Sequence, residues 1–347
     1  MSSGKGGVGK TNISTNLAVA LAQSGKRVCV FDADTSLANV NILLGIQPRF
    51  TLEQLLNSEA SLDEVLVPAP GGIHIVPAAS GIAELNSLDE SRQAILLDAL
   101  RTLERDFDYL LIDTAAGIGR NVLLFLQATR QTLLVVTPEP TSLTDAFALA
   151  KVLKQKKSDA ELHVLVNMSS GYAESIDVYK RLAGACQRYL DMRPEYFGYI
   201  PRDDYLRMAV QAQKPVLIAW PQAAVSQRFV ALARSMDQLL SHHQVPGRFS
   251  RFWERLAEHN APLTRKRKPP AAIDVARSAA PVRKYPRSLM VKIHQGMTGL
   301  IRSRQLPSES MRKMMGSLLK LMQQNYPEID PRELLEDPTE KNREQQR

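Results

Sequence analysis

A run of residues near the start of the chain has the composition of a phosphate-binding loop. It fits the pattern G-x-x-x-x-G-K-[ST] and consists of Gly4, Lys5, Gly6, Gly7, Val8, Gly9, Lys10 and Thr11. The backbone N–H groups of such a glycine-rich loop can surround phosphate oxygens, Lys10 can reach the β- and γ-phosphates, and the Thr11 hydroxyl can ligate Mg²⁺. The run therefore predicts a site for ATP and Mg²⁺, with Lys10 as a catalytic residue.

Aspartates stand directly after two short apolar runs further along the chain. Asp32 and Asp34 follow the first run, and Asp113 follows the second. Carboxylates at the end of a strand beside a phosphate loop can hold Mg²⁺ through water or orient an attacking water. The small residues after Asp113 end at Gly117 and would let the backbone approach a γ-phosphate, as a switch segment must. A lone aspartate more often caps a helix or closes a turn, but the combination favours a nucleotide site.

Alternating strands and helices must position these residues. Short apolar runs alternate with longer helical patterns from Thr11 to about Gln244, and such runs are typical of strands buried in a parallel sheet. The alternation predicts a doubly wound, mostly parallel α/β sheet of the P-loop NTPase type, with ligands at the carboxyl ends of the strands. The predicted strands are Val28–Phe31, Ile73–Val76, Tyr109–Ile112, Leu133–Val136, Leu162–Val166 and Phe197–Ile200.

A phosphate loop is expected to follow a buried strand, and the sequence shows no room for that strand. Only Met1, Ser2 and Ser3 precede Gly4. In a parallel sheet the strand would be central and apolar on both faces. Its loss would cost more than the stability margin of ~5–15 kcal/mol of a typical domain. Two explanations stay open: the start codon is assigned too late, or the chain lacks its first strand.

Composition excludes several classes of protein. With 347 residues and an apolar content of 44%, the chain can form one large domain or two ordinary ones. No apolar run approaches the length of a transmembrane helix, and no signal peptide is visible. Cys29 and Cys186 stand alone, so we expect no disulfide framework, zinc site or iron–sulfur cluster. These features are typical of a reduced, cytoplasmic protein.

The net charge of +8 is concentrated at the C-terminal end. Residues 262–347 contain 18 Lys+Arg and 9 Asp+Glu, whereas the residues before them contain 26 and 27. A basic tail of this kind can bind nucleic acid or an anionic membrane surface, or can simply keep a linker solvated. We divide the chain into an ATPase domain (1–245), a short amphipathic helix (246–261), a basic proline-rich linker (262–287) and a helical, Met-rich extension with a polar end (288–347).

The amphipathic helix at 246–261 is a candidate for membrane binding. Its apolar residues recur with the spacing i, i+3, i+4, i+7 of one helical face, and arginines flank them. Such a helix can lie at a membrane interface, although a helix this short binds weakly and would need two copies in a dimer. The alternative is a helix that packs on the body. The residues of the apolar face are Phe249, Phe252, Trp253 and Leu256.

The motifs together resemble a known family. The strings GKGGVGKT, DADTSLANVN, GIHIVPAASG, LLIDTAAGIG and TPEPTSLTDAFAL cover roughly residues 3–240. They resemble the MinD/ParA ATPases, and most closely the flagellar-number regulators FlhG and FleN. The resemblance implies that Lys5, the extra lysine of the loop, completes the partner's nucleotide site in an ATP-bound homodimer. It also implies that Asp34 positions the attacking water and that Asp32 and Asp113 belong to the Mg²⁺ shell. The implied adenine-side residues are Asn167, Pro201 and Asp203.

By this resemblance the chain is a switch that regulates flagellar number or placement. Slow ATP hydrolysis would be coupled to dimerisation and to reversible attachment of a cytoplasmic protein to the membrane. The implied partners are the GTPase FlhF and basal-body proteins or a flagellar transcription activator. An alternative is a positioning ATPase for cell division or DNA partition, in which the basic tail would hold DNA. A third hypothesis, motivated by the missing strand, is a nucleotide-inactive scaffold.

Overall fold

The computed structural model describes residues 1–34, 39–77, 88–156, 158–241 and 248–260. Strands and helices alternate along these ranges. The strands are β1 (Val28–Ala33), β2 (Val67–Ala69), β3 (Ile73–Val76), β4 (Tyr109–Thr114), β5 (Gln131–Val136), β6 (Glu161–Ser169) and β7 (Glu195–Pro201). The helices are α1 (Lys10–Gln23), α2 (Asn39–Leu44), α3 (Leu52–Leu56), α4 (Leu62–Val65), α5 (Glu90–Asp106), α6 (Arg120–Ala128), α7 (Pro140–Gln155), α8 (Tyr172–Leu190), α9 (Asp204–Gln211), α10 (Val216–Ala219), α11 (Ala224–Ser241) and α12 (Arg248–Asn260).

The strands form two sheets, in the orders β2-β3-β1-β4 and β5-β6-β7. Pairing among the described strands is parallel, except that β2 runs antiparallel to β3. Each predicted strand lies within one of these strands, because a buried parallel strand is apolar on both faces and leaves a continuous run in the sequence. No apolar run predicted β2, whose Pro68 is exposed at the sheet edge. The prediction of a mostly parallel α/β fold is confirmed.

The first residues of the chain lie between the two sheets and join them. The Ser2 N–H donates to the Leu133 carbonyl at 2.9 Å, and the Val135 N–H donates to the Ser2 carbonyl at 2.9 Å. On the other side, the Thr114 N–H donates to the Met1 carbonyl at 3.2 Å. This is strand pairing with both β4 and β5, at the position where the sequence predicted a central strand.

Helix α1 connects the phosphate loop to the core. Leu17 and Leu21 are fully buried, and α1 contacts α11, β1 and β4. Within the described ranges no helix combines the length and the apolar character needed to cross a membrane. The predicted linker and the Met-rich extension lie outside the described residues, so their boundaries stay predictions.

Helix α12 contains the face that the sequence assigned to a membrane, and in this structure the face packs on the body. Phe249 is 6% exposed and Trp253 is 1% exposed. The Trp253 ring packs edge-on against Phe125 of α6, with 5.3 Å between ring centroids. Phe252 and Leu256 are partly buried against the same core cluster. Helical spacing shows that α12 has an apolar face, but here that face meets protein rather than lipid.

Polar contacts also fix α12 on the body. The Glu104 side chain on α5 accepts hydrogen bonds from the Phe249 N–H at 2.9 Å and the Ser250 N–H at 3.2 Å. A carboxylate in this position satisfies N–H groups at the start of a helix that have no partner within the helix. Arg101 of α5 forms an ion pair with Glu254, with 2.8 Å between Nε and Oε1. The alternative reading, a helix packed on the body, describes this conformation.

Candidate nucleotide site

The phosphate loop runs between the first residues of the chain and α1, and its positions require glycine for different structural reasons. Gly7 and Gly9 have φ of 76° and 89°, which are left-handed values that L-residues rarely adopt. A Cβ on Gly4 would lie 2.2 Å from the carbonyl carbon of Asp145 in α7, so the loop touches that backbone directly. A Cβ on Gly6 or Gly7 would meet nothing within 4 Å. At these two positions the middle of the loop is thus not covered by other residues.

Asn167, at the carboxyl end of β6, forms a hydrogen bond with the phosphate loop. Its Nδ2 donates a hydrogen bond to the Val8 carbonyl at 2.7 Å, and the side chain is buried. A Cβ on Gly9 would lie 2.5 Å from that nitrogen, so only glycine fits there. The sequence analysis placed Asn167 on the adenine side. In this structure its amide nitrogen is bonded to the phosphate loop.

Lys10 and Thr11 begin α1, as the loop pattern predicts. The Lys10 side chain is 8% exposed, and burial lowers the pKa of its ammonium group, against the opposing effects of Asp113 and Asp34. A positive charge this poorly solvated would be stabilised by an anion. The amino end of α1 adds the partial positive charge of its free N–H groups. The position suits a phosphate group.

Asp32 and Asp113 lie side by side at the carboxyl ends of neighbouring strands. They are paired in the register of β1 and β4, and both are buried. Burial raises the pKa of Asp32 to about 7, although the Asp34 N–H, 3.1 Å away, and the Val40 N–H donate to its carboxylate. Burial likewise raises the pKa of Asp113, opposed by the Thr11 hydroxyl, the Met1 amine and Lys10.

The Asp113 carboxylate has one oxygen available for a further ligand. The Ser14 hydroxyl donates to Oδ1 at 3.0 Å. Oδ2 is buried and has no hydrogen-bond partner among the described residues. Two buried carboxylates, one with an unsatisfied oxygen, fit a divalent cation. In the described part of the chain no group of three or more His, Cys, Asp or Glu residues could hold a metal. Such a cation would therefore take further ligands from water, phosphate and Thr11, as Mg²⁺ commonly does.

Gly117 lies where the resemblance placed a switch segment. Its φ is 93°, and its N–H donates to the Ser3 carbonyl at 2.9 Å. The Thr114 hydroxyl donates to the Met1 carbonyl at 3.1 Å. The segment after Asp113 is therefore bonded directly to the residues that lead into the phosphate loop.

Lys5 does not point into the site of its own chain. Its ammonium group lies 2.8 Å from Oε2 of Glu139 and 3.0 Å from Oγ1 of Thr141, at the start of α7. The hydrogen bond and the charge of Lys5 lower the pKa of the Glu139 carboxyl. Lys5 is 40% exposed and Glu139 is 63% exposed, so water reaches this ion pair. An exposed lysine beside the loop can still reach another molecule.

The two remaining predicted adenine-side residues lie at the end of β7. Pro201 is paired with Ser169 of β6, so it is next to the strand end that carries Asn167. Asp203 caps α9, because its Oδ1 accepts a hydrogen bond from the Tyr205 N–H at 2.8 Å. The cap is a structural role that needs no nucleotide. An adenine contact of Pro201 and Asp203 stays a prediction.

Sequence reasoning missed Ser14, Glu139 and Thr141. Ser14 is one turn beyond Lys10 on α1, and helical spacing could have placed its hydroxyl beneath the loop. Glu139 and Thr141 belong to a string that contributed to the family resemblance, but nothing in the sequence linked them to Lys5, more than a hundred positions away.

Comparison with known proteins agrees with this geometry. A family model described as "ParA: NUBPL iron-transfer P-loop NTPase" matches residues 1–237. The chain is 43% identical over 258 residues to the Antiactivator FleN of Pseudomonas aeruginosa, covering 74% of this chain and 92% of that protein. It is 32% identical over 240 residues to the flagellum site-determining protein YlxH of Helicobacter pylori, covering 69% of this chain and 79% of that protein. The structure of MinD from Pyrococcus horikoshii complexed with Mg-ADP matches with a TM-score of 0.55 and 25% identity, covering 70% of this chain and 96% of that chain. The chain belongs to the ParA/MinD family of P-loop NTPases.

Proposed function

We propose that this protein is an ATP-dependent dimerising switch that regulates the number or placement of flagella. The observation that carries the nucleotide chemistry is the buried pair Asp32 and Asp113 beside Lys10 and the open phosphate loop. The flagellar assignment rests on the 43% identity to FleN, an antiactivator, and the 32% identity to YlxH, a flagellum site-determining protein.

Each residue of the site has a separate role in the proposed ATP hydrolysis. The loop N–H groups and Lys10 bind the β- and γ-phosphates, and Thr11, Asp32 and Asp113 would hold Mg²⁺, which neutralises charge that develops on the phosphates. Asp34 orients a water for attack on the γ-phosphorus. As the new P–O bond forms, the bond to the bridging oxygen breaks, and the proton of the water passes to Asp34 or to the phosphate. ADP and inorganic phosphate are the products.

Loss of the γ-phosphate would be communicated through Gly117. Its N–H donates to the carbonyl of Ser3, the residue before the loop, so a movement of the loop would reach the segment after Asp113 through Ser3. Segments ordered by a γ-phosphate relax when it leaves. The dimer would part at this step, and turnover would be slow without a stimulating partner.

Lys5 would change partners when the dimer forms. In the single chain it is held by Glu139 and Thr141. In the dimer it would leave them for the phosphates of the partner's nucleotide. This role rests on the family resemblance and on the exposure of Lys5.

The first experiment measures nucleotide binding and assembly together. Wild-type protein with Mg·ATP is expected to form dimers by light scattering. Asp34→Ala should bind ATP and remain dimeric because it cannot hydrolyse, whereas Lys10→Ala should lose both binding and dimerisation. An Asp34→Ala protein that stays monomeric under saturating ATP would refute the dimer switch. Protein that binds no Mg·ATP at all would support the inactive scaffold instead.

The biological role is tested by counting flagella in cells that lack the gene. More flagella than in the parent would support regulation of flagellar number, with FlhF, basal-body proteins or a flagellar transcription activator as partners to examine. Normal flagella with division or partition defects would favour a positioning ATPase. That second candidate is supported by 31% identity over 230 residues to a septum site-determining MinD of Helicobacter pylori.

The description of the family model mentions iron transfer, but the positions of the two cysteines do not support that activity for this chain. Cys29 and Cys186 are buried in different core clusters. Burial raises the pKa of their thiols to about 12 and about 11. The thiolate is the form that ligates metals, and burial disfavours that form for both cysteines.

Peripheral membrane attachment of a cytoplasmic protein remains part of the proposal, but α12 as described cannot provide it. Phe249 and Trp253 are covered by the body. Attachment would require the release of α12, or it would use another part of the chain.

A further inference from the structure

Ser14 of α1 contacts the candidate nucleotide site through its hydroxyl. The residue is fully buried, and its Oγ donates a hydrogen bond to Oδ1 of Asp113 at 3.0 Å. A serine or threonine within a helix often donates instead to the carbonyl four residues earlier. The next residue, Thr15, does this, with 2.7 Å between its Oγ1 and the Thr11 carbonyl oxygen. The Ser14 hydroxyl is therefore directed at the carboxylate rather than at its own helix.

This hydrogen bond makes the two oxygens of Asp113 unequal. Oδ1 accepts from Ser14, whereas Oδ2 is buried and has no hydrogen-bond partner among the described residues. A buried carboxylate oxygen without a partner is costly, so Oδ2 is the oxygen that a cation would stabilise. A half-turn of the carboxylate would exchange the two oxygens, and the bond from Ser14 opposes that rotation, most strongly when Asp113 is ionised. The Thr11 hydroxyl also interacts with Asp113, but Thr11 is itself a predicted ligand of the cation.

Asp32, the neighbouring carboxylate, is oriented in a different way. Its oxygens accept from backbone N–H groups, that of Asp34 at 3.1 Å and that of Val40 at 3.5 Å. Backbone donors are present whatever side chain stands at those positions. Since Asp32 and Asp113 are adjacent in the sheet, one carboxylate of the pair is oriented by the backbone and the other by a side-chain hydroxyl. The orientation of Asp113 therefore depends on the residue type at position 14.

We propose that Ser14 is a positioning residue for the cation site: its hydroxyl holds Asp113 so that Oδ2 faces the cation or a water bound to it, and this orientation favours Mg²⁺ over Ca²⁺. Ser14 itself does not touch the cation. The inference rests on the proposed function in one respect, which is that a divalent cation binds beside Asp113 together with the nucleotide.

The selectivity follows from the different demands of the two cations. Mg²⁺ is small and requires nearly ideal octahedral geometry, whereas Ca²⁺ is larger, tolerates irregular geometry and accepts a carboxylate through both oxygens. A carboxylate held in one rotation presents one oxygen in one direction, which suits Mg²⁺. Without the Ser14 hydroxyl, Asp113 could turn and present either oxygen or both. That freedom costs Mg²⁺ more than it costs Ca²⁺.

A purely structural role for Ser14 makes a different prediction. If the hydroxyl only ties α1 to β4, its removal would lower stability and would weaken the binding of both cations equally. Thr15 is the matched control for that possibility, because it is also fully buried on α1 and also donates one hydrogen bond, but to the backbone of its own helix. Replacing Thr15 by valine removes a buried hydroxyl of the same helix without touching Asp113.

The test compares the wild type with Ser14→Ala, Ser14→Thr and Thr15→Val. The affinity for a fluorescent ADP is measured in EDTA, and Mg²⁺ and Ca²⁺ are then titrated separately into the ADP-bound protein. Ser14→Ala is expected to weaken Mg²⁺ binding on the order of tenfold, as the loss of a hydrogen bond to a metal ligand typically does. It should weaken Ca²⁺ binding less and leave ADP binding in EDTA unchanged. Ser14→Thr keeps the hydroxyl and should retain the affinity for Mg²⁺, and so should Thr15→Val.

Equal Mg²⁺ affinity in the wild type and Ser14→Ala would overturn the proposal. So would an equal loss for Mg²⁺ and Ca²⁺, or the same loss of Mg²⁺ affinity in Thr15→Val. If the added methyl group of Ser14→Thr prevents folding, which the urea midpoint reveals, the comparison of Ser14→Ala with Thr15→Val still decides. ADP binding needs neither hydrolysis nor dimerisation, so a failed dimer switch leaves this test intact. A wild type that binds no ADP would instead refute the proposed function and this inference together.

Discussion

Replacing Trp253 by alanine tests whether α12 belongs to the fold or to a membrane. The Trp253 ring lies 5.3 Å from Phe125, 6.1 Å from Phe249 and 5.4 Å from Phe252, centroid to centroid. Truncating a fully buried tryptophan typically costs about 3–5 kcal/mol of unfolding free energy. We expect Trp253→Ala to lose stability within this range, measured by urea unfolding followed by circular dichroism.

Trp253→Phe is the matched control. Nε1 of Trp253 is buried without a hydrogen-bond partner among the described residues, and an unsatisfied buried donor costs about 1–3 kcal/mol. Phenylalanine removes that donor and keeps an aromatic ring against Phe125. The smaller ring lowers the free energy of unfolding, whereas removal of the unsatisfied Nε1 donor raises it. This variant should therefore stay within about 1.5 kcal/mol of wild type. Arg251→Ala, on the exposed side of α12, should change stability little.

A membrane role for this face would give a different result. Trp253→Ala would then leave urea unfolding within about 0.5 kcal/mol of wild type, as exposed substitutions do. The same variant would fail to sediment with vesicles that contain anionic lipid, under conditions in which wild type does sediment. That pair of results would refute the packing argument and restore the membrane assignment. Hydrogen exchange in α12 and α5 would show whether α12 detaches alone before the body unfolds.

Asn167→Ala should weaken ATP binding on the order of tenfold, because the Val8 carbonyl loses its partner; unchanged affinity in a fluorescent-nucleotide titration would contradict this tether. The Cys29 thiol, with its pKa raised to about 12 by burial, should resist iodoacetamide at pH 8 and react only after urea unfolds β1, as mass spectrometry of the labelled peptide would show. Without Mg²⁺ and nucleotide, the free energy of unfolding should fall as pH rises from about 4 to about 7, because the unfolded chain releases the Asp32 proton near 3.8 and the folded chain near 7. Asp32→Asn should flatten that slope in urea titrations, and an equally steep slope in the variant would exclude Asp32 as its source.

The strands and the aspartates at their ends could be predicted from the sequence because both follow from burial. A run such as Val28–Phe31 is apolar at every position only if both faces of its strand are covered. Parallel strands end at the same edge, so Asp32 and Asp113 were expected at one edge of the sheet, and the structure shows that their strands are also adjacent. The phosphate loop was predictable because its glycines and its lysine are local in sequence.

The partners of several site residues could not be predicted, because those contacts depend on tertiary packing. The spacing of Trp253 and its neighbours shows one apolar face but not the surface that covers it. Asn167 has an amide that can bind adenine or a backbone carbonyl equally well, and only the approach of Val8 decides. Glu139 meets Lys5 because α7 begins beside the loop, which no local pattern encodes.

The contacts of the loop with Asn167 and α7 have a consequence for the kinetics of nucleotide exchange. Gly4 touches the backbone of α7, and Val8 is bonded to Asn167. Since these contacts come from protein alone, little binding energy is spent on ordering the loop. Association is then limited by encounter rather than by a search for the right conformation. Both ATP and ADP would meet the same preformed loop, so under the proposed function discrimination between them would depend on groups outside it, namely Asp34, Gly117 and the lysine of a second chain. The two nucleotides would then be distinguished by how long each stays bound rather than by how fast each binds.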